Sequence, residues 1–225
     1  VVRVLSPGTM TDPTALEPRV AAYVAAVSVA REGTGLALAD LSTGEFLVWE
    51  GDAARAREIL AGYAPREIVH HEDAAPPDTI LGDLRGAALL SPRPGWTFAE
   101  TMARKTLLAH FEVATLEGYG LGGRARAVAA AGALLAFLQE TQKGPLRHIA
   151  AVKAIDTASC LVLDQTTRRN LEIVRSLSDE TNRATLVGVL DLTMTAMGGR
   201  LIRDWIIRPL VDRGAIEARL GAVGE

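Results

Sequence analysis

The sequence predicts an α/β domain on a mixed sheet, followed by a segment that is wholly helical. Three observations carry this. Short runs rich in Val, Leu and aromatic residues, separated by turn residues, fill positions 20–50. Helix-like and strand-like runs then alternate over 53–110, and from residue 122 onward no strand of comparable quality recurs.

The first three runs, VAAYVAAVSVA (20–30), GLALADL (35–41) and EFLVWE (45–50), read as a meander. Ser42-Thr43-Gly44 is a three-residue link whose glycine supplies the left-handed conformation of a bulged hairpin, so the second and third strands pair antiparallel. A helix over 53–63, a strand over 67–71, a brief helix within 76–85 and a strand over 87–91 follow, and their alternation implies parallel strands joined by crossovers. Thr97 and Glu100 stand at the spacing of a capping box, which predicts a helix from Phe98 to about His110. The order βββαβαβα is that of the RNase H-like fold, which is topology alone and gives no function.

A long helix is expected over 123–142, with Val128, Ala131, Leu135 and Leu138 on one side and the small residues Ala125, Ala129, Gly132 and Ala136 on another, so that two faces pack closely. Gly144-Pro145 ends it. The segment LVLDQTTRRNLEIVRSL reads as a helix capped by Asp164, with Leu171, Val174 and Leu177 inward. After the polar loop SDETNRAT come helices at 186–192 and 196–208, the second capped by Thr195 and stopped by Pro209, and Asp212 opens a last one. That helix runs to Glu225 without a closing signal, which reads as a fragment of a longer protein.

Composition narrows the function. Hydrophobic residues at 48% and charged residues at 23% exclude wholesale disorder, and a net charge of −3 is no basic nucleic-acid arm. Arginine outnumbers lysine 21 to 3, but the acids balance it. One cysteine, Cys160, precludes an internal disulfide, VVRVLSPGT is not a signal peptide, and no window nears the apolar length of a membrane span. A cytoplasmic protein without a membrane role is expected.

Catalysis finds little support. An RNase H-like nuclease holds two metal ions with an acid on its first strand, and residues 20–30 contain none, leaving Asp40, Glu58, Glu72 and Asp73 without an anchor. Asp40 and Glu45 read as turn and rim residues. No GxxxxGK[ST] is present, and the glycine-rich stretch Gly118, Gly120, Gly122 and Gly123 lacks a lysine and reads as an interdomain link. His70 and His71 point to opposite faces of a strand, His110 and His148 stand apart from any Cys/His cluster, and no G-x-S-x-G elbow occurs. Arg168-Arg169 and Arg124/Arg126 are explained by ion pairs or solvation, and no aromatic-basic pattern offers bases a stacking platform.

Five stretches taken together carry a resemblance. VVRVLSPGTMTD (1–12), LADLSTGEF (38–46), AAGALLAFLQETQ (130–142), LVLDQTTRRNLEI (161–173) and LDLTMTAMGGRLIRDWIIRPL (190–210) resemble, in order and over nearly the whole chain, the bacterial MutS family of DNA mismatch-repair ATPases. The resemblance implies a link from an absent N-terminal domain over 1–12, an RNase H-like connector over 13–120, a junction helix over 121–148 and the start of a helical core and lever domain over 149–225. It gives Leu171, Ile173, Met197, Leu201 and Trp205 a structural reading as the core of a helical hub, beside Gly132 in the junction helix. The family's mismatch-reading domain and its clamp and ATPase would lie outside, so this part is expected to be non-catalytic and free of cofactors, with ATP and Mg²⁺ used by the full-length protein. The implied partners are MutL and the other MutS domains, with mismatched DNA held only through absent domains. The fragment is expected to be monomeric, the full-length protein dimeric. Arg104 and Lys105 on the helix 98–110 are the candidate docking residues for MutL, with Phe98, Met102, Leu108 and Phe111 turned to the sheet. The rival readings are a degenerate metal-dependent nuclease and a free-standing protein-interaction module.

Overall fold

The computed structural model describes residues 21–142, 146–157, 159–161, 163–178 and 184–224. The link expected over 1–12 and the Gly144-Pro145 stop lie outside them. Two compact units divide between Ile155 and Asp156.

In the first unit β1 (Tyr23–Ala30), β2 (Gly33–Asp40) and β3 (Glu45–Gly51) form the antiparallel meander, Tyr23 facing Asp40 and Asp40 facing Glu45 across the ladders. The link between β2 and β3 is built by Asp40. Its carboxylate accepts from Ser42 N and Oγ at 2.8 and 2.6 Å, while Gly44 takes φ 76° and donates its N–H to the Asp40 carbonyl at 2.9 Å. Helix α1 (Ala53–Tyr63), capped by Asp52, leads to β4 (Glu67–His71), and α2 (Asp78–Leu81) leads to β5 (Leu89–Arg93). β4 runs parallel to β1, and β5 parallel to β4. A two-residue β6 (Lys153–Ala154) runs parallel to β3, giving the order β5-β4-β1-β2-β3-β6. Apart from β6, this is the mixed sheet expected from the sequence.

Both faces of the sheet are covered, which is why the central strands read as unbroken apolar runs. Alternate residues divide between two cores. Tyr23, Ala25 and Val27 lie with Leu36, Leu38 and Trp49 beneath Ile59 and Leu60 of α1 and Ile80 and Leu81 of α2. Val24 and Ala26 lie with Ala37, Ala39, Phe46 and Val48 in the opposite core, which α3 (Glu100–Phe111) and α4 (Ala125–Gln142) complete.

Helix α4 is buried almost throughout, and its alanines and glycine are the reason it fits. A Cβ on Gly132 would stand 2.3 Å from Ala103 Cα, and one on Gly35 of β2 would stand 2.1 Å from the Arg126 carbonyl oxygen. Neither approach tolerates a side chain. The helix start is secured from the sheet, because Glu50 Oε2 accepts from Arg126 N and Ala127 N at 2.8 and 2.9 Å. Helix and sheet therefore share one core, and the glycine-rich stretch before α4 is no interdomain link. It lies inside the first unit, with Leu121 fully buried between Gly120 and Gly123, both at φ 70°.

The second unit carries α5 (Gln165–Asn170), α6 (Leu186–Leu190), α7 (Ala196–Ile207) and α8 (Arg213–Gly224). Each begins on a polar cap: Asp164 accepts from Thr167 N, Thr185 from Gly188 N, Thr195 from Gly198 N, and Asp212 from Ala215 N. The helix expected through residue 177 stops at Asn170. Glu172 turns to φ 46° and its carboxylate accepts from Leu177 N, while Glu172 and Ile173 carbonyls take the N–H groups of Leu186 and Val187. Tertiary hydrogen bonds thus end a helix that periodicity would extend.

The hub core needs correction. Leu171, Met197 and Leu201 are 61%, 77% and 50% exposed, and Trp205 is half-buried beneath Arg219, whose guanidinium carbon lies 4.1 Å from the ring centre. Of the expected hub set only Ile173 is buried, and Val187 lies buried with it among the described residues. An amphipathic face buries only where another element lies against it, and the described residues close no core over α7.

Candidate interaction surface

Helix α3 presents two faces because its apolar inward positions recur four residues apart. Ala103 and Leu107 are buried against α4, with Leu108 and Phe111 partly covered. The expected capping box is absent. Thr97 sits in a 3-10 turn (Gly95–Phe98) and its hydroxyl donates to the Pro94 carbonyl at 2.7 Å, so the helix starts at Glu100 with Ala99 as an N-cap that offers no side chain. That start sets the inward positions, so Met102, expected toward the sheet, is 41% exposed while Phe98 is buried.

Outward stand the two candidate docking residues. Arg104 bonds to Glu100 at 3.1 Å, a pair in the order that helix geometry favours, and Lys105 is exposed with no ion-pair partner among the described residues. Gly132 lies directly behind, holding α4 against the Ala103 backbone. Leu171, Met197, Leu201 and Trp205 belong to the other unit.

The turn that precedes α3 adds a residue that sequence reasoning passed over. Trp96 is 62% exposed, and its neighbour Gly95 is clamped to the end of β4: Gly95 N donates to Glu72 Oε1 at 3.2 Å, and the His71 ring occupies the space of a Cβ at Gly95. His71 Nδ1 accepts from Asp73 N at 3.0 Å. The signal available was Pro94-Gly95 before the tryptophan, a turn pair that leaves the next side chain no strand or helix to bury it.

The acids weighed for a nuclease are dispersed. Asp40 is buried in its turn, Glu58 pairs with Arg55 on α1, Glu72 serves Gly95, and Asp73 is exposed. Among the described residues no three His, Cys, Asp or Glu side chains gather as metal ligands. The histidines have backbone work: His70 Nδ1 donates to the His71 carbonyl at 2.8 Å and His110 Nε2 to the Ile149 carbonyl at 3.0 Å. No helix among the described residues is long and apolar enough to cross a membrane.

Comparison with known proteins adds to this geometry. The family model of MutS domain II matches residues 22–150, and that of MutS domain III matches residues 166–225. Three curated relatives carry the name DNA mismatch repair protein MutS. That of Symbiobacterium thermophilum is 39% identical over 230 residues, covering 100% of this chain and 26% of that protein. Those of Salinibacter ruber and Dehalococcoides mccartyi are 36% and 35% identical, covering 99% of this chain and 25% and 26% of theirs. The chain spans about a quarter of the length of these relatives.

Proposed function

Because the chain belongs to the MutS family of DNA mismatch-repair proteins, we propose that it is a non-catalytic part of a cytoplasmic mismatch-repair ATPase, coupling mismatch recognition to ATP-driven movement of a dimer. The observation that supports this most is the succession of two family domains, II then III, on a chain whose first unit is a mixed sheet and whose second is helical. Such an arrangement suits transmission between other domains of the whole protein.

The residues present do not fit the cofactors of the whole protein. The glycine stretch before α4 carries no lysine for a nucleotide's phosphates, and among the described residues no three acids, His or Cys gather as metal ligands, so ATP and Mg²⁺ are assigned to other parts of the protein. Mismatched DNA is likewise assigned to other domains, since a net charge of −3 supplies little counterion-release driving force.

The outer face of α3 is the proposed platform for MutL, with Arg104 and Lys105 as the residues a partner meets first. Rim charges govern encounter more than folding. Arg104→Glu with Lys105→Glu should weaken capture of MutL by the full-length protein several-fold. The thermal transition should fall only slightly, because one exposed i,i+4 pair is worth about 0.3–0.5 kcal/mol. Capture at the parent's level by a folded double mutant would move the platform elsewhere.

A further inference from the structure

Trp96 is the aromatic side chain that the described residues leave largely in water. Trp49 is buried and Trp205 lies under Arg219. An indole offers one of the largest single gains on burial, and Trp anchors are enriched where proteins bind. Its setting is rigid. Gly95 is clamped by Glu72 and by the His71 ring, Phe98 is buried, and the Thr97 hydroxyl closes the turn onto the Pro94 carbonyl.

The turn that carries Trp96 has a negative charge around it once existing pairs are removed, because Glu72 reaches the Gly95 backbone and Asp73 follows Glu72 in the chain. Arg93 is engaged by Glu140 and lies over the Phe137 ring at 5.5 Å, and Arg104 is engaged by Glu100. The Glu72 carboxylate receives a backbone N–H, and the exposed Asp73 carboxylate has no cationic partner among the described residues. Phosphate-bearing ligands and anionic membranes are repelled by such a rim, whereas a cation is drawn to it.

The geometry points to a docking site at Trp96, Glu72 and Asp73 for an arginine-bearing segment of a protein partner, its guanidinium laid on the indole face and its charge met by the two carboxylates. Arginine suits the site better than lysine because its planar, weakly hydrated head stacks on aromatic rings. The clamped turn holds the shelf before the partner arrives, which lowers the cost of binding. This site is separate from the basic face of α3 and does not depend on the reading given to that face.

The test uses the ¹⁵N-labelled chain and an acetylated, amidated tetra-arginine peptide, read at the Trp96 indole N–H and the Asp73 amide. Saturable shifts at both are expected, several-fold weaker with tetra-lysine and absent with tetra-glutamate or a short oligothymidylate. Trp96→Ala should abolish the response at the parent's melting temperature, and Asp73→Asn, a surface change with no fold to lose, should weaken it several-fold. Equal binding of tetra-lysine, a Trp96→Ala variant that still shifts the Asp73 amide, or the absence of any shift would overturn the proposal.

Discussion

Single residues in this protein mark where backbones nearly touch. Gly132 is the sharpest case, since even a Cβ would press on the Ala103 backbone, which cannot swing aside like a side-chain tip. Gly132→Leu is expected to cost at least the upper end of the about 1–3 kcal/mol typical of overpacking, seen as a lowered midpoint in chemical denaturation. A melt matching the parent would mean that α3 and α4 do not meet there. The converse change is available at Ala64, which closes α1 at φ 44°, a conformation that burdens any residue with a Cβ. Ala64→Gly should stabilise by about 0.5–1 kcal/mol in the same measurement, because glycine takes that C-cap without the steric penalty.

Elements are held by polar groups whose partners lie at very different distances along the chain. The start of α4 depends on Glu50, which reaches it from β3 across 76 residues of sequence. Glu50→Ala should cost about 1–2 kcal/mol, the range for a lost helix cap, and the deficit should appear first in hydrogen exchange of the Arg126 and Ala127 amides. The start of α5 is local. The Thr167 backbone N–H and hydroxyl hold the Asp164 carboxyl below the usual carboxylate range, so the cap's stabilisation is present above that range and lost as pH falls through the lowered value. The Thr167 amide resonance should therefore titrate at a pH below that of an ordinary aspartate, and Asp164→Asn should flatten the profile. Titration at the ordinary aspartate value would remove the cap. Edge protection is also visible at this scale: Pro92 in β5, on the outside of the sheet, removes a backbone donor that a stray strand would use.

For the whole molecule, the expected outcome is an absence of turnover. Purified chain with Mg²⁺ or Mn²⁺ should neither hydrolyse ATP nor cut nucleic acid, because Asp40, Glu58 and Glu72 are engaged in a turn, a pair and a backbone bond at separate places, and Asp73 stands exposed beside Glu72 alone. Nuclease or ATPase activity abolished by Asp40→Asn would contradict the proposed role, since Asp40 has structural work in the hairpin. Duplex binding should be weak and equal for paired and mismatched DNA. Submicromolar, mismatch-selective binding at physiological salt would place a reading head within this chain.

Patterns set by neighbours along the chain were legible in the amino-acid order. The meander, the α1 and β4 bounds, the left-handed glycine of the hairpin link and the caps at Asp164, Thr195 and Asp212 all follow from alternation, turn chemistry and residues three apart. The small-residue pattern of α4 also announced close packing, though not its partner. What only the tertiary structure decided depends on distant groups competing for the same atoms or surfaces. The helix after Asp164 was free to continue until the Glu172 and Ile173 carbonyls took the N–H groups of Leu186 and Val187, whereas Thr97 lost its capping role to a local rival, the Pro94 carbonyl. Met102 and Leu201 carry the same kind of apolar side chain as Leu107, yet only Leu107 is buried, because α4 lies over its side of α3. Apolarity is written in the sequence; burial requires a second surface, and which surface arrives is a property of the fold.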